Sequence, residues 1–182
     1  MAKIFIVVLV VAIGAIVVFQ FIDPTVQSKV DPSGNTLVIG GDQDEGITAT
    51  INGEVSRPGT YFMERNLTLN ELIIVAGGVT SNADSLAYDT TYLVEDGMTF
   101  YIAPKYDTGD LCSMEPIVKV NINLASADVL ATVSGIGSTA ARAIVSYRDA
   151  NGEFKRIEDV MKVSGIKNAT FEKIKNYITI KD

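Results

Sequence analysis

The chain has no histidine and only one cysteine, Cys112, among its 182 residues. The first absence excludes histidine-dependent acid–base chemistry, Ser-His-Asp triads and histidine-containing metal sites. The second excludes any disulfide within the chain. Basic charge is scarce as well, with 15 Lys and Arg against 22 Asp and Glu and a net charge of −7. Charge is missing entirely from residues 4–22, which read IFIVVLVVAIGAIVVFQFI. Apolar residues are not scarce. At 47% they suffice to bury cores, which excludes a disordered chain, and the residues outside 4–22 are enough for one or two small domains.

At about 1.5 Å per residue, the uncharged run spans roughly 28 Å as a helix, close to the hydrocarbon thickness of a bilayer. A cleaved signal peptide has a shorter apolar stretch, about 7–15 residues, followed by small residues. Here the run ends Phe19-Gln20-Phe21-Ile22-Asp23-Pro24, so an uncleaved transmembrane anchor is expected over residues 1–22. Lys3 and the terminal amine carry the positive charge on the short side, while Asp23, Asp31, Asp42, Asp44 and Glu45 follow the run against Lys29 alone. The positive-inside rule then places a single-pass protein in the cell membrane with residues 23–182 extracellular. Residues 23–46, rich in Asp, Gly, Ser, Thr and Pro, read as a flexible stalk with a reach of roughly 27 Å.

Residues 47–104 have the pattern of a small α+β unit. Ile47, Ala49 and Ile51 alternate with Thr48, Thr50 and Asn52, which is strand periodicity, and Arg57-Pro58-Gly59 suits a type II turn. Thr68-Leu69-Asn70-Glu71 is a capping box opening a helix that presents Leu69, Leu72, Ile73 and Ala76 on one face and stops at Gly77-Gly78. Asp96-Gly97 is expected to join residues 91–94 and 98–102 as a β-hairpin. Two strands, a helix and a hairpin make a β-grasp-like order. Residues 105–118 are polar and irregular, a linker that contains Cys112. An exposed extracellular thiol there would be inert or would crosslink two copies.

Residues 119–182 contain an internal repeat. Val-Ser-Gly-Ile recurs at Val133 to Ile136 and at Val163 to Ile166, thirty residues apart. Each copy follows an apolar stripe (Val129, Leu130 and Val133; Ile157, Val160, Met161 and Val163) and precedes a second helix, expected over residues 139–150 and 169–177 with Asn168 capping the latter. Two helical hairpins around one core account for this pattern. Gly135 follows a helix, where a left-handed residue often closes the end. Gly137 precedes the next one, where a missing Cβ lets an anion approach backbone N–H groups and the positive end of the helix dipole. Ser138 and Thr139 add hydroxyl donors and Arg142 lies one turn on.

Charge agrees with a polyanionic partner for this part of the chain alone. Residues 119–182 carry 10 Lys and Arg against 7 Asp and Glu, a balance of +3, whereas residues 23–118 carry 4 against 15, a balance of −11. The cations Arg142, Arg148, Lys155, Arg156, Lys162 and Lys167 lie near the hairpins in sequence, and part of this set belongs to ordinary solvated helix faces. The residues expected to contact nucleic acid are Gly135, Ile136, Gly137, Ser138, Thr139, Arg142, Lys162, Gly165, Ile166 and Lys167. Such a site reads the sugar–phosphate backbone, so binding should be sequence-independent and salt-sensitive.

Residues 120–166, from VNINLASADVL through SGIGSTAARAIVSYR to VMKVSGI, resemble the paired helix-hairpin-helix DNA-binding domain of the ComEA competence proteins. INGEVSRPGTYF and ELIIVAGGVTSNAD resemble an SLBB (soluble-ligand-binding β-grasp) domain. The resemblance implies a multi-domain protein of five parts: an anchor (1–22), a stalk (23–46), an α+β SLBB domain (47–104), a linker (105–118) and an all-α paired helix-hairpin-helix domain (119–182). It implies a non-enzymatic receptor without cofactor or metal, which captures double-stranded DNA outside the cell and passes it to an uptake-channel protein during natural transformation. Two residues depart from the family. Lys167 stands where the second hairpin usually has its closing Gly, which puts backbone capture there in doubt, and Arg156 stands where a helix-capping Ser is common. An alternative reading makes the SLBB domain the principal part, binding a surface glycan or assembling into a homo-oligomer, with the hairpins as accessory. An enzyme is a third reading, since such hairpins also occur in nucleases. Asp149 and Glu153, however, lie at a helix end and its turn, a usual place for solvated carboxylates.

Overall fold

The computed structural model describes residues 36–38, 46–107 and 115–182. The expected anchor, the rest of the stalk and the part of the linker with Cys112 lie outside the described residues. Among the described residues no helix is long and apolar enough to cross a membrane.

The alternation at 47–52 does form a strand. In β2 (Ile47–Gly53), Ile47, Ala49 and Ile51 are buried. It pairs antiparallel with β3 (Gly59–Met63), Ile51 opposite Gly59 and Ile47 opposite Met63. The capping box closes as read, with the Thr68 N–H donating to Glu71 Oε2 at 2.7 Å ahead of α1 (Leu69–Val75), which buries Leu69, Leu72 and Ile73 against the sheet.

Two expectations for this unit are corrected. Residues 91–94 and 98–102 do not pair as a hairpin. Leu93 makes only an isolated bridge to Thr68, and β4 (Thr99–Ile102) runs parallel to β2. The Asp96-Gly97 turn is bound to β2 instead: the Thr48 N–H donates to Asp96 Oδ1 at 2.8 Å and the Gly97 N–H to Thr48 O at 2.7 Å. That anchorage turns the chain along β2 rather than back on itself. Within the segment read as a stalk, Thr36–Val38 forms β1 and pairs parallel with β3, so the sheet order is β1-β3-β2-β4.

The C-terminal unit is four short helices around one core. They are α2 (Ala127–Leu130), α3 (Ser138–Asn151), a 3-10 helix (Ile157–Lys162) and α4 (Asn168–Ile174). Leu130, Val133, Ile144, Ile157, Val160, Val163, Phe171 and Ile174 are buried together, and Val129, expected on the apolar stripe, is exposed. The unit is not all-α. β5 (Val120–Asn121) pairs parallel with β6 (Ile178–Thr179), clipping its two ends together.

The two units share an interface. As the last strand in the sheet order, β4 presents backbone groups that a protein must cover. The buried Glu158 carboxylate accepts the Tyr101 N–H at 2.5 Å, and Arg156 Nη1 donates to Thr99 O at 3.4 Å. Arg156 lies 5.1 Å from the centroids of both Tyr92 and Phe100 and pairs with Asp159 at 3.2 Å. This accounts for the departure from a capping Ser: the Arg braces the SLBB-like unit, and it caps no helix with its side chain. Lys119 pairs with Asp84 at 2.6 Å in a nearly closed site, and the Ile180 and Lys181 N–H groups both donate to Leu86 O. At the two described ends of the segment read as a linker, the Lys105 N–H donates to Asn82 O at 2.6 Å and the Ile117 N–H to Lys105 O at 2.7 Å.

Burial pushes the Glu158 carboxyl up to about 7, against the opposing pull of backbone N–H bonds and Arg156. Its folded pKa lies above the unfolded value, so its contribution to stability is full below pH 4.5 and is lost as pH rises to about 7. Glu158→Gln keeps an oxygen for the Tyr101 N–H and removes the titration. We expect its melting temperature to gain on the wild type between pH 5 and pH 8 (flanking that window). Parallel melting curves for the two proteins across that range would contradict this assignment.

Candidate nucleic-acid interface

Both turns of the repeat alternate exposed and buried positions. After α2, Gly135 has φ 104, a left-handed conformation that strains any side chain, and a Cβ there would meet Ile174 Cγ2 at 3.1 Å. Ile136 plugs the core at 3% exposure and its N–H donates to Val133 O at 2.9 Å. Gly137 then returns to solvent as the N-cap of α3, at an ordinary φ of −76 with nothing within 4 Å of a Cβ built on it. Neither backbone nor packing requires glycine at 137. What its missing side chain leaves is open space beside the N–H groups of Gly137, Ser138 and Thr139. These precede the first intrahelical donor, Ala141, whose N–H goes to Gly137 O at 2.9 Å. Donors at the positive end of a fourteen-residue helix are placed where an anion is favoured, and Ser138, Thr139 and Arg142 are exposed beside them.

The second turn repeats the construction with one change. Gly165 has φ 89 and open space around it, Ile166 is 0% exposed with its N–H on Val163 O at 3.1 Å, and Lys167 is the exposed N-cap of α4. At φ −123 the Lys167 backbone suits any residue, so the lysine is accommodated without strain. Asn168, expected as the cap, is the first residue of the helix.

The geometry re-sorts the expected contacts. Ile136 and Ile166 are core plugs with internally bonded N–H groups, so they shape the turns and do not face solvent. Lys162 turns to Asp159 at 3.0 Å, a bond that raises its pKa, and lines a cleft of about 800 Å³ between the two units with Asp96, Tyr101 and Lys175. Among the cations of 119–182, Lys119, Lys155, Lys162, Lys175 and Lys181 have carboxylate partners, Arg148 donates to Ile122 O and Arg156 pairs with Asp159. Arg142, Lys167 and Lys173 have none among the described residues. The first two are on the expected list. Lys173 is not, because it belongs to no motif and its position shows only in the packed structure.

Residues 48–88 match the SLBB domain family, and residues 115–179 match the helix-hairpin-helix motif family. The chain is 35% identical over 172 residues to ComE operon protein 1 of Bacillus subtilis strain 168, covering 87% of this chain and 84% of that protein. It is 43% identical over 61 residues to an uncharacterized protein of Haemophilus influenzae, covering 33% of this chain and 54% of that one. A further match, 39% over 62 residues, is to endonuclease/exonuclease/phosphatase family domain-containing protein 1 of Homo sapiens, covering 34% of this chain and 11% of that protein.

The two glycines of the first turn should respond differently to substitution. Gly135→Ala is expected to cost about 1–2 kcal/mol through its left-handed backbone and the contact with Ile174. Gly137→Asp places a favoured N-cap residue on α3 and should leave thermal stability unchanged or raised. Melting curves of the two variants check this. A Gly137→Asp protein as destabilised as Gly135→Ala would make Gly137 a structural residue.

Proposed function

The chain belongs to the ComEA-type family of competence proteins, and from that membership we propose that it is a membrane-anchored receptor that binds double-stranded DNA outside the cell for uptake in natural transformation. The observation that carries this reading is the row of outward N–H groups at Gly137, Ser138 and Thr139 beside Arg142, with a second turn of the same construction thirty residues on. Backbone amides and hydroxyls meet phosphate oxygens and not base edges, so the receptor takes duplexes without regard to sequence. Lys167 substitutes a mobile ammonium for amide capture at the second turn, which contributes charge with little geometric demand. The role is binding and not catalysis, in keeping with the family. The anchor over 1–22 and the charge asymmetry around it support a single-pass placement with residues 23–182 outside, from which bound DNA is handed to a channel protein.

Full-length protein in detergent micelles should bind unrelated duplexes with similar affinity. The logarithm of the binding constant should fall linearly with the logarithm of salt concentration, at about −0.9 per phosphate neutralised. Affinity that is equal at roughly 50 and 200 mM salt would remove the phosphate-backbone reading. Gly137→Asp should weaken binding at least tenfold, by setting a carboxylate among donors that otherwise meet phosphate, a difference of about 1.4 kcal/mol or more. Protease added to intact cells should digest residues 23–182, and full protection of a C-terminal tag would invert the proposed topology.

A further inference from the structure

The two halves of the repeat differ where α4 passes the first turn. A Cβ built on Gly135 lies 3.5 Å from Lys173 Cβ and 4.0 Å from Lys173 Cδ, so the lysine stem runs alongside this glycine with only its Cε and ammonium beyond. The position thirty residues earlier, which would play the same part at the second turn, is Ala143, and nothing lies within 4 Å of a Cβ on Gly165. The second half of the repeat therefore supplies the first turn with a long cationic side chain, and the first half returns none. Lys173 is exposed and has no carboxylate partner among the described residues, whereas Lys175, two residues on, pairs with Glu172 at 2.6 Å and lies 4.1 Å from the Tyr101 ring centroid. Lys173 in the last turn of α4 and Lys175 at its C-cap thus serve different surfaces, Lys175 the domain interface and Lys173 the first glycine turn.

We propose that Lys173 is a phosphate-binding residue of the first hairpin, supplied in trans by the second, so that the first site is complete only when both hairpins are packed together. This rests on the DNA-binding reading above and deepens it. The Gly137, Ser138 and Thr139 N–H groups fix where a phosphate sits, and the ammonium supplies the unit charge that uncharged amides lack. A stem lying along a glycine without a Cβ is held against the turn, which keeps the ammonium near the phosphate instead of sweeping solvent. The two hairpins then differ in kind: an amide cradle with a borrowed cation at the first, and the N-capping Lys167 at the second.

The test uses full-length protein and duplex DNA at several salt concentrations. Lys173→Met keeps the stem on Gly135 and removes the charge. It should leave the melting temperature unchanged, lower affinity roughly three- to tenfold at about 50 mM salt, and reduce the slope of log binding constant against log salt by about 0.9. Lys173→Arg should restore both readings. Lys155→Met, which removes a cation that already faces Glu153 at 3.9 Å, should change neither. Wild-type affinity and slope in a folded Lys173→Met protein would overturn this proposal and leave the receptor reading standing, as would equal losses in Lys173→Met and Lys155→Met. Failure of the wild-type protein to bind duplex at low salt would overturn both.

Discussion

The isoleucine at the centre of each Gly-Ile turn is the constraint on which the binding face depends. Ile136 and Ile166 are driven into the core by the free energy of burying an aliphatic side chain, about 1.5–3 kcal/mol each. Their N–H groups return to the preceding valine carbonyls. With that residue pinned inward, the residues on either side must turn outward, and the left-handed backbone at Gly135 and Gly165 makes the reversal possible. The donors at Gly137, Ser138 and Thr139 face solvent because hydrophobic burial happens one residue away. Burial and exposure are consequences of a single local geometry, which explains why the isoleucine belongs to the motif while touching nothing outside the protein.

A comparable economy governs the join between the two units. The β4 strand ends the sheet order on the side facing the C-terminal unit, and Glu158, Arg156 and Asn176 of that unit meet its backbone and the Tyr101 hydroxyl. The segment after the first hairpin is a 3-10 helix whose polar residues Glu158 and Asp159 are buried, because here they face a sheet edge rather than water. Burying a carboxylate is costly, and the Tyr101 N–H and Arg156 offset only part of that cost for Glu158, whose carboxyl is still pushed up to about 7, while Arg156 also pairs with Asp159. The acidic N-terminal unit is therefore a supporting wall for the second hairpin.

Periodicity and spacing made much of this legible in advance. The repeat, α1 with its capping box, strand β2 and the two glycine turns are local features, each decided within ten or so residues, where sequence patterns are informative. What escaped the sequence depends on partners distant along the chain. Asp96-Gly97 has the composition of a hairpin turn, but its bonds go to Thr48, and that long-range pairing converts a hairpin into a parallel strand. Arg156 and Lys162 look like DNA-binding cations in a basic segment, but Asp159, three residues from each, takes both. Ile136 and Ile166 were grouped with the contacts because they sit between them, while burial removes them from the surface. Lys173 had no motif to mark it, and only the packing of α4 against Gly135 brings it to the turn.

Charge and geometry together explain how a protein of net charge −7 can present a surface to a polyanion. A count of basic residues overstates the attraction, because carboxylates or carbonyls already satisfy most cations of the C-terminal unit and several brace the domain interface. The cations left over, Arg142, Lys167 and Lys173, all lie on the elements that carry the two turns. Internal pairing acts as a filter that removes diffuse positive charge and leaves it where helix-terminal amides already favour an anion. On the proposed DNA-binding reading, a surface filtered in this way meets a phosphate backbone at a few points without coating the duplex in cations, which favours contact that is blind to sequence.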